Sequence, residues 1–410
     1  MIYINLIWLI IKSIALMILN PFMWLVVAFI YFQYKRNVEI ERHMVGKEQT
    51  PLKDQVLDSV IYGFLIGILG SIVIVFLGIT IDNIGIEYVF PLAILLMLIN
   101  PRYICFSYAG GIVSLISLIT GYPNVNVSGL MAIVGILHLM ESILIYLDGA
   151  ANSVPVFVRL KNGNVAGGYT MQKFWPIPFI ALSTTTAILG GASSINMPDW
   201  WPLLGPSSNL KDIVFIMIPV VAALGYGDIA LTEMPKKRAH RSSIRLLGFS
   251  LILIGLSLLS IKIYIFKWIA AIFGPLAHEL IIIIGQREEK TKKPLFEYQD
   301  TGLMVLSVVK NSPAEQIGIK PGDVILKIND IQINSEDDIK RLLSTNPTIL
   351  FITVREADGS FVRYEYRNCK GINWLGLLIV PQYPDNLYSI SDMENGGLIK
   401  SLLRKFTKKH

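Results

Sequence analysis

The sequence predicts an α-helical polytopic membrane bundle of about 8–10 spans followed by one small α+β domain. Three observations carry that expectation. Hydrophobic residues make up 53% of the 410 and charged residues only 16%, against roughly 45–50% and about 25% in ordinary soluble proteins. The apolar residues gather into long runs before Gly285, whereas mixed polar sequence fills the remainder of the chain. The Lys and Arg residues stand mainly between apolar runs, as they do beside an anionic cytoplasmic leaflet. The formal net charge of +6 is therefore assigned to the inner membrane surface and its anionic lipids, with no nucleic acid as partner. The expected organisation is a transmembrane region over 1–286, a basic linker over 287–295, the small domain over 296–382 and a basic tail over 383–410.

A helix crosses the hydrocarbon core with about 20 residues. The first segment, 2–34, is one span or a broken pair, because Pro21 after Asn20 interrupts a helix. Whether 2–19 crosses or lies in the interface is left open at this point. That run has no basic start and no small-residue cleavage site, so it is expected to be retained structure and not a signal peptide. Further spans are expected at 56–81, 87–100, 103–121, 129–147, 176–191, 211–229, 244–261 and 268–285.

Orientation comes from the loops. Lys35, Arg36, Arg42 and Lys47 follow the first segment, and Arg159, Lys161 and Lys173 lie in 148–175. Lys236, Lys237, Arg238, Arg241 and Arg245 precede the next-to-last span, and Arg287, Lys290, Lys292 and Lys293 follow the last. About eight alternating crossings between Lys53 and Arg287 connect all four groups on one side, the cytoplasmic one. The opposite loops 121–129 and 191–210 hold no Lys or Arg. Lys262 and Lys267 depart from this pattern and are expected to snorkel. The small domain is thereby expected in the cytoplasm, under a multi-pass plasma-membrane region.

In that domain 303–309 is β-rich, and Ser312-Pro313-Ala314-Glu315 opens a short helix with a Ser cap and Pro at its first position. Gly318 suits a left-handed stop, and Pro321-Gly322-Asp323 a tight turn before the strand 324–328. Ser335 caps a helix whose first turn holds Glu336, Asp337 and Asp338 and whose apolar face is Ile339, Leu342 and Leu343. Strands 349–355 and 361–366 come next, joined at Asp358-Gly359. The run SPAEQIGIKPGDVILKIND resembles the segment that passes through bacterial PDZ domains. The resemblance implies binding of a C-terminal or extended peptide by addition to a sheet edge, with its carboxylate held by a hydrophobic-Gly-hydrophobic loop. That loop normally precedes the strand 303–309, but Phe296-Glu297-Tyr298-Gln299-Asp300 has no glycine. The pattern stands instead at Trp374-Leu375-Gly376-Leu377. A permuted groove is therefore expected, with the peptide between 377–380 and the helix carrying Ile339, Leu342 and Leu343. The alternative is an ordinary core strand and a degenerate groove.

Membrane helices with a PDZ-like domain also describe site-2-type intramembrane zinc proteases. Those need HExxH, whose two histidines bind zinc while the glutamate activates water. Here His278-Glu279-Leu280-Ile281-Ile282 lacks the second histidine, and Leu147-Asp148-Gly149 precedes the motif when it should come after it. Cys105 and Cys369 show no metal-ligand spacing. No GxSxG elbow, P-loop or GxGxxG is present. No catalytic residue, metal or cofactor is therefore expected, and a transporter with a regulatory PDZ domain is the other alternative. His138 and Glu141, one turn apart in an apolar helix, form an intramembrane polar pair, read more readily as a bundle contact than as a transport path. In the tail, Leu398, Ile399, Leu402, Leu403 and Phe406 can face away from Lys400, Arg404, Lys405, Lys408 and Lys409, which suits either an anionic membrane surface or a solvated tail.

Asn20-Pro21-Phe22, the basic Tyr34-Lys35-Arg36 exit, His138-Leu139-Met140-Glu141-Ser142 before Gly149, and the closing WLGL segment are similar to the MinJ-like family of Gram-positive bacteria. That resemblance implies a non-enzymatic scaffold in placement of the cell-division site, at septum and poles. Its implied partners are a DivIVA-like pole protein and a MinD-like ATPase that carries MinC.

Overall fold

The computed structural model describes residues 2–160, 163–185, 197–198, 200–204, 214–382 and 388–389. The chain opens with helices α1 (Ile2–Leu16) and α2 (Pro21–Val45), bent by 69° at their junction. The bend has a local cause. Asn20 caps α2 by accepting the Phe22 N–H at 2.9 Å, and Pro21 occupies the first helical position, where its missing N–H costs nothing. Helices α3 (Leu52–Leu77), α4 (Ile86–Ile99), α5 (Phe106–Thr120) and α6 (Val127–Asp148) come next, and α7 (Pro235–Lys262) and α8 (Ile265–Thr291) close the apolar region.

Among the described residues four helices (α3, α6, α7 and α8) are long and apolar enough to cross a membrane, or five if the bent pair α1–α2 counts as one span. The central helix is α6, buried among α3, α5, α7 and α8. Outward-facing residues of the bundle are large and apolar: Trp8, Phe22, Leu25, Phe32, Leu65, Leu251 and Leu276 are all more than half exposed. Such a sheath is compatible with lipid and costly in water.

Two of the expected spans are not helices. The described parts of 176–191 and 211–229 belong to strands β2 (Val165–Thr185) and β3 (Val214–Ala230), which pair antiparallel in continuous register from Tyr169–Ala230 to Thr185–Val214. Strand β1 (Val154–Arg159) pairs with the first part of β2 only. Beyond Thr170 the free edge of β2 lies along α3, where glycine makes the approach possible. A Cβ on Gly63 would stand 2.0 Å from the Pro176 carbonyl oxygen, and one on Gly67 2.0 Å from that of Pro178. The edge donors are largely accounted for. Pro176 and Pro178 have none, the Phe174 N–H meets the Tyr34 hydroxyl at 3.3 Å, and the Ile180 N–H donates to Ser71 Oγ at 2.8 Å. Ser183 and Thr184 donate to the Asp82 carboxylate. An edge without partners inside an apolar bundle would lose several kcal/mol per exposed group.

The C-terminal domain is β-rich. Its sheet runs β10 (Leu377–Ile379), β5 (Leu303–Val308), β6 (Val324–Ile328), β8 (Ile349–Arg355) and β9 (Phe361–Arg367), with β7 (Ile331–Gln332) beside β6. Helices α9 (Pro313–Gln316) and α10 (Glu336–Ser344) complete it around a core that includes Val305, Ile325, Ile333, Leu350 and Val354. Two expected boundaries shift. Helix α8 continues through Thr291 into the stretch assigned to a linker, and β4 (Phe296–Glu297) pairs with β2 at Gly167 and Ala166. Strand β11 (Tyr388–Ser389) pairs in parallel with β1. The rest of the tail assigned to 383–410 lies outside the described residues, and with it the amphipathic face at 398–406.

Candidate functional site

The edge beside α10 is built by local sequence. Ser335 caps α10 by accepting the Asp338 N–H at 3.3 Å, while the Asp338 carboxylate takes the Ser335 N–H at 2.9 Å. Backbone donation from Asn334 and Ser335 holds the Asp338 carboxyl below the ordinary aspartate range. At the far side of the domain the Pro321-Gly322-Asp323 turn is pinned by its own residues. The Gly322 N–H donates to Val305 O and the Val305 N–H to Asp323 O, both at 2.8 Å, and Lys320 N–H donates to the Asp323 carboxylate at 2.8 Å. Burial pushes the Asp323 carboxyl upward against that hydrogen bond. These three residues shape the sheet and do not line the groove.

Trp374, Leu375, Gly376, Leu377 and Ile379 face Ile339, Lys340 and Leu343 of α10 across a groove of ≈ 390 Å³. Of the residues that the sequence assigns to the groove, Leu342 alone is not in its lining; it packs, partly buried, against the domain core. The loop before β10 is held from behind, with the Ala314 N–H on Leu375 O at 3.0 Å and the Val309 N–H on Gly376 O at 2.9 Å. Gly376 has φ +77°, and a Cβ there would stand 2.2 Å from Ser312 Cβ. No described backbone carbonyl accepts from the N–H groups of Trp374, Leu375 or Gly376.

Register decides what the β10 edge offers. Leu377 stands opposite Val308 and Ile379 opposite Val305, with Val309 N–H on Gly376 O and Val380 N–H on Met304 O. These bonds make Leu377 and Ile379 members of non-hydrogen-bonded pairs, so their own N–H and C=O groups point away from β5. The outer edge of β10 is open to a further strand. Lys47, from the connection between α2 and α3, reaches this corner: its Nζ lies 5.1 Å from the Trp374 ring centroid and 3.3 Å from Lys310 O. Sequence reasoning missed Lys47, which is some three hundred positions away and carries no local signal.

The remaining polar groups assort differently from the sequence pairing. His138 does not bond Glu141; its Nδ1 donates to Val134 O at 2.7 Å and its Nε2 lies 3.0 Å from Cys105 Sγ. His278 Nε2 approaches the same sulfur at 3.8 Å. Glu279 is paired with Arg102 at 2.9 Å and accepts from the Tyr108 hydroxyl at 2.6 Å. Asp148 is occupied elsewhere, by Lys173 at 3.0 Å and Trp175 Nε1 at 2.8 Å. At the same end of the bundle Arg238 forks onto Asp228 at 2.8 and 3.1 Å, and Arg241 and Arg245 reach Glu288. Several cations counted as loop charges are thus ion-paired.

Comparison with known proteins agrees with this architecture. A family model described as a PDZ domain matches residues 304–356. Over 381 residues, 87% of this chain and 90% of the relative, the chain is 23% identical to the cell division topological determinant MinJ of Bacillus subtilis (strain 168). Over 84 residues it is 29% identical to a probable cell division topological determinant MinJ of Lacticaseibacillus paracasei, covering 20% of this chain and 23% of that one. The periplasmic serine endoprotease DegP of Salmonella typhimurium is 39% identical over 62 residues, 15% of this chain and 13% of its own, a distant match of the PDZ domain alone.

Proposed function

From the premise that this is a MinJ-like membrane protein with a C-terminal PDZ domain, we propose that it is a non-enzymatic, multi-pass scaffold for cell-division proteins. Its cytoplasmic PDZ domain captures the extended C-terminus of a partner. The observation that carries this reading is the open edge of β10 beside α10, with N–H groups at Trp374, Leu375 and Gly376 immediately before it that have no partner among the described residues. A peptide added there as a strand takes backbone hydrogen bonds from Leu377 and Ile379, and its side chains enter the apolar groove. The terminal carboxylate sits against these N–H groups, where a loop of backbone amides favours negative charge.

Topology supports the cytoplasmic placement. The hairpin β2–β3 goes out and returns, as two helices would, so the parity of crossings between Lys53 and Arg287 is unchanged. The end of α6, the base of the hairpin, the start of α7 and the end of α8 meet on one side through Asp148–Lys173, Arg238–Asp228 and Glu289 with Leu231 and Thr232. The PDZ domain and the cation-rich segments lie on that side, the cytoplasmic one by the positive-inside rule. Anchoring confines partners to two dimensions and raises their effective concentration, so weak peptide binding suffices. A DivIVA-like pole protein and a MinD-like ATPase are the partners this reading bridges, with anionic inner-leaflet lipids beneath.

The test is photo-crosslinking in membranes of the intact protein, with the reactive side chain at Lys340 on the groove rim or at Phe361 on the far strand. Both positions are exposed. Capture of division or polar proteins through their C-terminal residues at Lys340 and not at Phe361 is the expected result. Equal capture at both positions, or capture of internal segments only, contradicts the groove.

A further inference from the structure

Three separate helices bring Cys105, His138 and His278 to one point in the apolar bundle. Cys105 is the N-cap of α5, His138 lies in the middle of the central helix α6, and His278 lies in α8. One ligand atom from each residue lies within 4.8 Å of the other two, and both Nε2 atoms approach Cys105 Sγ. Tetrahedral zinc with bonds of about 2.0–2.1 Å to nitrogen and about 2.3 Å to sulfur sets its ligand atoms roughly 3.4–3.6 Å apart. The observed 3.0 and 3.8 Å from sulfur to the two nitrogens bracket that separation.

Second partners fix both imidazoles in the tautomer that metal binding requires. His138 Nδ1–H donates to Val134 O at 2.7 Å. His278 Nδ1–H donates to the Tyr108 hydroxyl at 3.2 Å, which in turn donates to Glu279 at 2.6 Å. With each Nδ1 protonated, each Nε2 carries a lone pair, and the two lone pairs converge on one sulfur that has a single proton to give. A cation satisfies all three groups at once, while a thiol satisfies one. The Phe249 ring stands edge-on to both histidines, at 5.2 and 5.7 Å, and walls the point off with hydrocarbon.

We propose that Cys105, His138 and His278 bind a divalent transition-metal ion of the zinc class. One thiolate and two imidazoles are the kind of donor set this class of ion prefers. Binding releases the Cys105 proton to solvent. The site is a staple and not a catalytic centre. Glu279, the residue an HExxH enzyme would use to activate water, is committed to Arg102 and Tyr108. The staple ties the start of α5 and the core of α6 to α8, the helix that leads into the PDZ domain.

The experiment uses the full chain purified in detergent, carrying Cys369→Ser so that Cys105 is the one remaining thiol; Cys369 is exposed and remote from the cluster. Zinc is measured by elemental analysis after a chelator wash, and Co²⁺ is then titrated in. The expected result is about one zinc per chain and, with cobalt, a sulfur-to-metal charge-transfer band with tetrahedral ligand-field absorption. Adding Cys105→Ser removes the charge-transfer band, and His138→Gln or His278→Ala weakens metal binding at least tenfold, whereas His43→Ala and His240→Ala change neither. No charge-transfer band in the Cys369→Ser protein overturns the proposal without reference to any variant of the cluster. Metal retained equally in all cluster variants means an adventitious ion only and overturns it as well.

Discussion

Gly376 stands at φ +77° with Ser312 Cβ 2.2 Å from where its own Cβ would be. Gly376→Ala therefore strains the backbone and pushes Ser312, the cap of α9, off its site. It is expected to destabilise the PDZ domain by about 1–3 kcal/mol and to lose peptide binding with it, read by limited proteolysis of the intact protein. Groove variants that spare the fold must be taken from exposed rim residues such as Lys340. The buried Asp148–Lys173 pair gives a second expectation. Lys173→Ala leaves a carboxylate without its cation and costs about 3–5 kcal/mol, seen as a lowered thermal midpoint in detergent, while the double replacement Asp148→Asn/Lys173→Met recovers much of it. At this scale the sequence was most legible where partners are close along the chain. The Ser312 cap and the Pro321-Gly322-Asp323 turn make their bonds within a few residues or to one strand. His138 was visible as a polar residue in an apolar helix, but its partners Cys105 and His278 come from other helices and no spacing announces them.

Among the elements, the hairpin β2–β3 is where periodicity misled. Both faces of these strands are covered with apolar residues, so the alternation that marks a half-buried strand is absent and a continuous apolar run reads as a span. Pro176 and Pro178, two residues apart, were the available signal, since a helix interior tolerates neither and a strand edge tolerates both. The other half of that signal lay in α3, where Gly63 and Gly67 face them. Gly67→Val is expected to force β2 from α3 and to reduce accumulation of folded protein severalfold, by about 2 kcal/mol or more. Gly255→Ala in α7, where nothing lies within 4 Å, is expected to be neutral or to stabilise by up to about 1 kcal/mol. Helix α10 carries its own test. Ser335→Ala removes the capping box and costs about 1 kcal/mol. Because the Asp338 carboxyl lies lower in the folded state than in the unfolded one, its contribution is present above the unfolded value of about 3.9 and is lost as pH falls through the folded value. The Ser335→Ala penalty should accordingly shrink in urea melts below about pH 4.

For the whole molecule, the PDZ domain is joined to the membrane region by more than a tether. Strand β4 pairs with β2, the Tyr169 hydroxyl donates to Leu306 O, and Phe157, Val165 and Tyr169 share a core with Phe296, Met304 and Val380. Lys47 brings a cation from the α2–α3 connection to the Trp374 corner of the groove. These contacts fix the groove relative to the helical region, as the proposed scaffold would require, and they were not legible because each joins segments far apart in sequence. The two-part architecture itself was legible, since composition divides the chain near Gly285 and the SPAEQIGIKPGD run is local. The most direct measurement is the affinity of the intact protein in nanodiscs for one C-terminal peptide of a captured partner, compared as free acid and as amide. A carboxylate held by the N–H groups of Trp374, Leu375 and Gly376 predicts at least a tenfold loss on amidation, about 1.4 kcal/mol. Equal affinity of acid and amide would contradict C-terminal recognition at this groove.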